Sequence, residues 1–217
     1  MTTFAILPVK RFAEAKQRLD LELSAGTRRA LAEAMVTDVL VALRRAEQVD
    51  TVLVVTDEPG AQALAYGYGA EVVQEDGNTG HSSAALLGID EAVVREATRV
   101  LLVPGDCPAL DPKEVDALLE GSHGSEIVVV PDRHGTGTNA LVLSPPDAMR
   151  PAFGPGSRER HVQRAQESGA QCRVEEVPTL MLDVDTREDL EALRDVLASA
   201  TGGAAHTRGM LNRLSRR

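Results

Sequence analysis

Three aspartates occupy positions at which a carboxylate could bind a metal ion. Asp106 directly follows a short apolar run and lies between two prolines and beside a glycine, which gives it a rigid setting. Asp183 and Asp185 are two residues apart, so in an extended segment both side chains share one face. A Mg²⁺ site commonly combines one or two carboxylates with substrate phosphates and water. Each aspartate alone also fits a turn or a helix cap, and that alternative stays open.

Lysine is rare in this chain, so its placement is informative. Only three of the 23 basic residues are lysine, and two of them, Lys10 and Lys16, follow the first apolar run. An ammonium group is a compact charge suited to a phosphate, whereas arginine favours planar, bidentate pairing. This bias predicts a phosphate-binding loop after the first strand, with an ordinary solvated basic loop as the alternative.

Two loops rich in glycine, serine and threonine are candidate anion sites. Residues 135–139 (GTGTN) combine backbone freedom with side chains that form hydrogen bonds, although a hairpin-like turn would use the same residues. In the second loop, Gly154, Gly156 and Ser157 precede a predicted helix, whose N-terminus attracts anions. The alternative there is an ordinary helix start with Ser157 as N-cap.

Two other side chains with reactive groups are interpreted as structural. His161 falls within the helix predicted after residue 157, and a lone histidine has many roles outside catalysis. Cys107 adjoins Asp106, whose charge would raise a thiol pKa, and no histidine is adjacent in sequence. Cys107 and Cys172 lack the spacing of metal ligands, so we expect a reduced, cytoplasmic protein.

The elements that must position these residues alternate between buried strands and helices. Short apolar runs predict strands, and apolar residues at i, i+4, i+8 and i+12 predict the first long helix. This alternation predicts an α/β fold, a mostly parallel sheet with helices on both faces. Ligands of such sheets bind beyond the carboxyl ends of the strands, where the candidate residues fall. Strands are predicted at 3–9, 51–56, 70–74, 99–103, 126–130, 140–143 and 173–177, and helices at 24–46, 59–68, 83–97, 112–120, 158–168 and 187–197.

Composition excludes several classes of protein. A chain of 217 residues with 43% hydrophobic content suits one large domain, and no run approaches the ~18 apolar residues of a membrane span. A net charge of −10 with no Trp, two Tyr and three Phe argues against a nucleic-acid binder. We expect the domain to cover residues 1–199. Residues 200–217 are predicted to be a mobile basic tail, with one frayed helical turn at 210–214.

Taken together, these segments resemble a known family, the guanylyltransferases of deazaflavin coenzyme F-420 biosynthesis that act on phosphoenolpyruvate or 2-phospho-L-lactate. The resemblance extends over residues 4–193 and rests on short strings that keep their order. These strings are ILPVK at 6–10, AKQRL at 15–19, LAEAM at 31–35, VPGDCP at 103–108, GTNAL at 137–141, FGPGS at 153–157 and LDVDT at 182–186.

The resemblance implies a Rossmann-like nucleotidyltransferase fold, similar to that of molybdenum-cofactor guanylyltransferases. It also implies GTP, Mg²⁺ and a phosphorylated three-carbon acid as ligands. Carried over position by position, it gives Asp106, Asp183 and Asp185 as metal ligands, Thr138, Gly154 and Ser157 as contacts to the carboxylate of the acid, and Pro8, Lys10 and Lys16 as part of the loop around the GTP phosphates.

The chain departs from this pattern before the third helix. Many relatives carry Gly-Leu-Asn there, whereas this chain has Gly80, His81, Ser82 and Ser83. The small polar side chains Ser82 and Ser83 are the candidates for hydrogen bonds to guanine or ribose.

The reaction that this family implies is an in-line attack by a phosphate oxygen of the acid on the α-phosphorus of GTP. Because that nucleophile is already ionised, positioning and charge neutralisation carry the catalysis. Lys10, Lys16 and Asp106 are therefore the predicted catalytic residues, with the two lysines stabilising the leaving pyrophosphate.

Several alternatives stay open. An Ala-rich composition with more Arg than Lys is typical of GC-rich bacteria and favours phosphoenolpyruvate over 2-phospho-L-lactate or 3-phosphoglycerate. A nucleotidyltransferase for molybdopterin or a sugar phosphate would usually have a glycine-rich first loop, which residues 10–19 lack. A silent nucleotide-binding module is another option. No membrane or nucleic-acid partner is predicted, apart from a role for the basic tail, and a homodimer is left open.

Overall fold

The computed structural model describes residues 1–21, 23–77, 80–121 and 124–214, which form a seven-stranded sheet with helices. The strands are β1 (Thr3–Pro8), β2 (Thr51–Thr56), β3 (Glu71–Gln74), β4 (Arg99–Leu102), β5 (Glu126–Pro131), β6 (Thr138–Ser144) and β7 (Gln171–Val174). The helices are α1 (Ala25–Arg45), α2 (Pro59–Gly67), α3 (His81–Val94), α4 (Pro112–Glu120), α5 (Ser157–Ser168), α6 (Pro178–Met181), α7 (Arg187–Ser199) and α8 (Ala205–Leu214).

The order of the strands in the sheet places a crevice at its centre. That order is β3-β2-β1-β4-β6-β5-β7, and only β6 pairs antiparallel with its neighbours. From β1 the chain builds towards one edge through β2 and β3, and it then returns to β4 on the other side of β1. Such a reversal leaves a crevice beyond the carboxyl ends of the two strands, which is where ligands bind in open α/β sheets. The predicted fold class, a mostly parallel α/β sheet, is confirmed.

Both faces of the sheet are covered because both faces of the central strands are apolar. In β1, Ala5 and Leu7 pack with α1, α2 and α4, whereas Phe4 and Ile6 pack on the opposite face with α3 and α5. Successive strand residues point to opposite faces, so a fully apolar strand needs a helical layer on each side.

Two glycines allow close packing around the crevice. A Cβ at Gly88 would lie 2.4 Å from Cγ2 of Ile6, so α3 can approach β1 only because this position has no side chain. A Cβ at Gly105 would lie 2.9 Å from Cγ2 of Val36 in α1. These two close approaches determine how near α3 lies to β1 and how near the turn after β4 lies to α1.

The structure differs from the sequence prediction at several elements. Helix α3 starts two residues and ends three residues before the predicted bounds, and β6 starts at Thr138 rather than at residue 140. The segment after β1 contains two short 3-10 turns, Phe12–Glu14 and Gln17–Leu19, where an irregular loop was expected. Strand β7 begins two residues before the predicted 173–177, because it follows the register of its parallel neighbour β5. Helix α6, which was not predicted, begins with Pro178 in its first turn, a position that proline favours.

The C-terminal segment also differs from the predicted mobile tail, because α8 packs against the domain. Asp38 of α1 is buried, and its carboxylate accepts hydrogen bonds from the backbone N–H groups of His206 (3.1 Å) and Thr207 (2.7 Å). Leu211 is buried in the same apolar cluster as Leu193 and Leu197 of α7. The start of this helix is thus capped by a residue far away in sequence, which a local pattern does not reveal. No helix in the described ranges is long and apolar enough to cross a membrane.

Candidate active site

Three chain segments meet at the crevice beyond β1 and β4. The first follows β1 and carries Lys10 and Lys16, and the second follows β4 and carries Asp106. The third is the extended stretch before α7, in which the backbone N–H of Val184 donates to the carbonyl oxygen of Asp106 at 3.1 Å. Because Val184 is buried, its two acidic neighbours are held beside the turn that carries Asp106.

Lys16 joins two of the three aspartates that were predicted to bind a metal. Its Nζ lies 2.6 Å from Oδ2 of Asp106 and 3.1 Å from Oδ1 of Asp185, and only 7% of its side chain is exposed. Burial alone would lower the pKa of the Lys16 ammonium, but the charges of Asp106 and Asp185 outweigh it and raise the pKa above the usual value. Lys16 therefore stays charged, and it takes a left-handed backbone conformation with φ of 57°, which is costly for a non-glycine residue.

Asp183 is positioned by a neutral neighbour. The Nδ2 group of Asn139 donates to Oδ1 of Asp183 at 3.0 Å and to the carbonyl oxygen of Leu180 at 2.8 Å. Burial, followed by the charge of Asp106, raises the pKa of the Asp183 carboxyl. Asn139 sits at the start of β6, which reaches this edge because β6 runs against its neighbours. This contact joins residues 44 positions apart, so the local sequence around Asn139 does not indicate it.

The donor set at this point suits a hard divalent cation. Within the described ranges, no three or more His, Cys, Asp or Glu residues are already arranged to hold a metal ion. Instead, the Lys16 ammonium lies between Asp106 and Asp185. Burial and, after it, the charge of Asp106 raise the pKa of the Asp183 carboxyl, so a cation at this point would stabilise its charged form. Carboxylate oxygens are the preferred ligands of Mg²⁺, so the residues fit such an ion once Lys16 gives up a partner.

Lys10 is tied to the opposite wall of the crevice. Its Nζ donates to Oε1 of Glu75 at 2.7 Å and to the carbonyl oxygen of Gly80 at 3.2 Å. These contacts hold the end of β1 against the segment that leads into α3. In the first turn of α3, the Ser82 hydroxyl accepts the backbone N–H of Phe153 at 3.0 Å, whereas Ser83 is exposed.

Two clefts open at this edge and share a wall formed by Pro8 and His81. The first, which we call the charged cleft, contains Lys10, Lys16 and Asp106 above an apolar floor. That floor comprises Val9, Phe12, Ala15, Ala32, Met35 and Val36. The smaller second one, the neutral cleft, is lined by Leu102, Val103, Pro104, Thr138, Asn139 and Phe153. His81 lines both clefts and therefore lies between them. In the sequence it stands out only as part of the departure from the family pattern.

The glycine-rich loop before β6 is a turn whose amides are already used. The carboxylate of Asp132 accepts hydrogen bonds from the N–H groups of His134 (3.1 Å), Thr136 (3.0 Å) and Gly137 (2.9 Å). A second anion would compete with Asp132 for Thr136 and Gly137, so the turn interpretation is favoured over a backbone anion site. Thr138, the next residue, is buried and faces the neutral cleft.

The second anion-site candidate lies at the start of α5. Gly154 and Gly156 have φ values of 111° and 70°, a region in which residues with a side chain are strained. Gly156, not Ser157, is the N-cap, because the helix begins at Ser157. Ser157 is buried, and its backbone N–H donates to the carbonyl oxygen of Gly154 at 3.0 Å.

Two side chains that were interpreted as structural have buried polar contacts. The Sγ of Cys107 donates to the carbonyl oxygen of Leu180 at 3.4 Å, and burial raises the pKa of its thiol well above the usual value. An unreactive Cys107 is therefore consistent with the structure. His161 of α5 is fully buried and contacts both Thr138 and the backbone of Ala152.

Comparison with known proteins gives a consistent result. The family model described as guanylyl transferase, CofC like, matches residues 3–215. A phosphoenolpyruvate guanylyltransferase of Conexibacter woesei is 54% identical over 218 residues, which cover 100% of this chain and 98% of that protein. A 2-phospho-L-lactate guanylyltransferase of Methanothermobacter thermautotrophicus is 37% identical, with 88% and 83% covered. A crystal structure described as a nucleotide-diphospho-sugar transferase of Desulfovibrio desulfuricans shares the fold, with a TM-score of 0.80, 15% identity, and 100% and 96% covered.

Proposed function

The chain belongs to the family of CofC-like guanylyl transferases, and on that premise we propose that it transfers GMP from GTP to phosphoenolpyruvate and releases pyrophosphate. The protein is a nucleotidyltransferase. The structural observation that carries the proposal is the contact of Lys16 with Asp106 and Asp185 at the point where the strand order reverses. Opposite charges gathered at such a point can receive both a phosphate chain and the cation that accompanies it.

GTP is assigned to the charged cleft. Two ammonium groups, those of Lys10 and Lys16, line this cleft. They can neutralise part of the negative charge that a nucleoside triphosphate carries. Pro8 and the apolar floor supply a surface for the less polar parts of the nucleotide. Ser82 and Ser83 stay candidates for contacts to ribose or base, although the Ser82 hydroxyl already accepts one hydrogen bond.

The acid is assigned to the neutral cleft. Thr138 lines this cleft, and so does Phe153, which directly precedes Gly154 in the loop that leads to Ser157 at the start of α5. Its carboxylate would be bound by hydrogen bonds from hydroxyl and amide groups, with Thr138, Gly154 and Ser157 as the proposed contacts. The shared wall of Pro8 and His81 then brings the phosphate of the acid close to the α-phosphate of GTP.

The chemical step needs no general base. A phosphate monoester has its second pKa near 6, so an oxygen of the acid is already anionic at neutral pH. That oxygen attacks the α-phosphorus of GTP, and the bond from this phosphorus to the bridging oxygen of the β-phosphate breaks. The electron pair leaves with pyrophosphate. Lys10 and Lys16 stabilise the charge that develops on the leaving group, as preorganised cations do in phosphoryl transfer.

Asp106, Asp183 and Asp185 are the residues that would hold Mg²⁺. When bound, such an ion neutralises charge on both phosphates and orients them for in-line displacement. To expose these carboxylates, Lys16 must leave Asp106, Asp185 or both, and an incoming phosphate is a suitable new partner for its ammonium. Lys16 would thus exchange a carboxylate for a phosphate as the substrates bind.

Phosphoenolpyruvate is proposed over the alternative acids because of the relatives. The relative named for phosphoenolpyruvate is 54% identical over the whole chain, and the one named for 2-phospho-L-lactate is 37% identical over a shorter range. Cytoplasmic location and a homodimer stay predictions.

The experiment is a direct assay. Purified protein with GTP, Mg²⁺ and phosphoenolpyruvate should release pyrophosphate and give a guanylylated acid that mass spectrometry identifies. Parallel reactions use 2-phospho-L-lactate and 3-phosphoglycerate as acceptors, and ATP and CTP as donors. A higher kcat/KM with 2-phospho-L-lactate would reassign the acceptor, and absence of turnover with all three acids would reject the proposed function.

A further inference from the structure

His161 forms two hydrogen bonds that connect α5 to two different parts of the neutral cleft. Its Nε2 lies 2.7 Å from the backbone nitrogen of Ala152, and its Nδ1 lies 2.9 Å from Oγ1 of Thr138. The side chain is completely buried, so the described protein groups, rather than bulk solvent, set its protonation.

These two contacts determine which ring nitrogen carries the proton. A backbone N–H can only donate, so Nε2 must accept from Ala152 and cannot carry hydrogen. A neutral imidazole protonated on Nδ1 meets this condition, and an imidazolium does not. Burial first, and then the nearby charges of Arg160 and Arg164, lower the pKa of His161 to about 4, in agreement with a neutral ring.

The tautomer of His161 in turn determines the direction of the Thr138 hydroxyl. If Nδ1–H donates, Oγ1 of Thr138 is the acceptor, and its own hydrogen must point to some other acceptor. Thr138 lines the neutral cleft. A carboxylate can only accept hydrogen bonds, so a hydroxyl that binds it has to present its hydrogen.

We propose that His161 is a positioning residue that keeps the Thr138 hydroxyl as a hydrogen-bond donor towards the carboxylate of the acid substrate. The inference rests on the proposed function, since that function places the acid in the neutral cleft. His161 itself does not touch the substrate, and it acts through the orientation of Thr138.

The surroundings of the ring oppose its rotation. Phe153 packs edge to face on His161 with ring centroids 5.2 Å apart, and the same Phe153 ring packs on His81 at 5.8 Å. The backbone N–H of Phe153 is held by Ser82. A flipped imidazole would present carbon atoms to Ala152 and Thr138 and would lose both hydrogen bonds, so one orientation is strongly favoured.

Two substitutions separate the two hydrogen bonds. The amide of Asn in His161→Asn matches the Nδ1 side of the ring, so it can still donate to Thr138 but does not reach Ala152. The longer side chain in His161→Gln places its oxygen near the former Nε2, so it can accept from Ala152 but no longer donates to Thr138. Both variants are neutral and polar, which makes each the control for the other.

The expected result is a selective loss of affinity for the acid. A hydrogen bond to a charged group accounts for roughly tenfold or more in affinity, so His161→Gln should raise the KM and Kd for phosphoenolpyruvate about tenfold. His161→Asn should stay within about threefold of wild type, and the KM for GTP should change in neither. In a Thr138→Val background, His161→Gln should add no further loss, because the hydroxyl that it orients is gone.

Two outcomes would contradict the positioning role. In the first, both His161 variants lower the melting temperature but leave the KM for the acid unchanged. In the second, His161→Asn impairs acid binding as much as His161→Gln does. ¹⁵N NMR of the free protein gives an independent check, because protonation on Nε2 rather than Nδ1 would also overturn it. If the wild-type protein binds phosphoenolpyruvate but does not turn it over, the proposed function is wrong. The Kd values of wild type and the two His161 variants for phosphoenolpyruvate would still test the positioning role.

Discussion

The two clefts at the end of the sheet are built on different principles. The charged cleft is held by ion pairs, with Lys16 between Asp106 and Asp185, and the side chains of these acids are 27% and 45% exposed. The neutral cleft is held by hydrogen bonds that involve a fully buried imidazole, with Thr138 on one side and Ala152 on the other. The clefts share a wall formed by Pro8 and His81, yet one depends on net charge and the other on the position of a single proton.

This difference shows what each half of the reaction requires. An ion pair can exchange one partner for another when a new ion of the same sign takes the place of the old partner, which suits a site where phosphates and a cation arrive and leave. A buried hydrogen bond keeps its geometry, because an unmade one costs the full desolvation of its groups. The comparison can be tested by removing charged side chains from the charged cleft and by changing the protonation of His161 beside the neutral cleft.

Asp183→Asn should have the largest effect, and it should separate activity from stability. Turnover should fall about 10²–10³-fold, the range found when a group that stabilises transition-state charge is removed. The free energy of unfolding at neutral pH should stay equal or rise, because the raised pKa of Asp183 means that its charged form is disfavoured in the folded protein. Steady-state kinetics and urea unfolding of the same preparation test both statements.

The difference in stability between Asp183→Asn and wild type should depend on pH. A carboxyl with a raised pKa contributes stability below its ordinary pKa, and this contribution is lost as the pH rises through the raised value. Asn has no such loss, so the stability difference between variant and wild type should shrink when the pH is lowered. Unchanged turnover in Asp183→Asn would remove this residue from the proposed metal site.

Lys16→Met should have the next largest effect. Loss of the ammonium removes charge stabilisation from the leaving pyrophosphate, so kcat should fall about 10–100-fold. It also leaves Asp106 and Asp185 without their shared partner, so Mg²⁺ should raise the melting temperature of the variant more than that of wild type. Lys113→Met, which changes an exposed lysine in the first turn of α4, is the matched control and should change neither quantity.

If Mg²⁺ stabilises Lys16→Met no more than it stabilises wild type, the ammonium and the metal ion do not share the same carboxylates. The exchange of partners by Lys16 would then not explain how the charged cleft accommodates a metal ion.

Mild acid should lower the stability of the fold, and it should act through the neutral cleft. The folded pKa of His161, about 4, lies below the ordinary value, so the stability that the neutral ring contributes is present above pH 6.5 and is lost as the pH falls towards 4. Between pH 7 and pH 5 this loss amounts to about 2 kcal/mol. Urea unfolding at both pH values should show it in wild type and not in His161→Gln, and an equal pH dependence in both would assign the loss to other groups.

Local patterns in the sequence predicted much of the fold and part of the site. Strand β2 and helix α4 occur at the predicted residues, because apolar runs and an N-terminal proline are local signals. The start of α7 also depends on a local signal, a capping box formed by Thr186 and Asp189. Asp106 and the pair after Leu182 lie close together because Val184, between the pair, donates its backbone N–H to the carbonyl oxygen of Asp106; their role as metal ligands stays a prediction.

The features that local patterns did not predict depend on contacts between distant residues. Asp38 caps α8 across 168 residues, so the end of the chain was predicted to be a mobile tail. Lys16 reaches Asp185 across 169 residues, and this ion pair could not be inferred from either neighbourhood. His161 was interpreted as structural because a lone histidine has many roles outside catalysis. Its bond to the Thr138 side chain depends on how α5 packs on the sheet, which the pattern around His161 does not reveal.

The apolar cluster that packs α7 and α8 on α1 has a consequence for the order in which the site is assembled. It joins Leu19, just after Lys16, to Val184 between the two aspartates and to Leu211 near the end of α8. Synthesis proceeds from the N-terminus. The loop that carries Lys16 can pack on α1 early, but the contacts that α7 and α8 add to the cluster form only after those helices have been translated. Until then Lys16 also lacks its ion pair with Asp185.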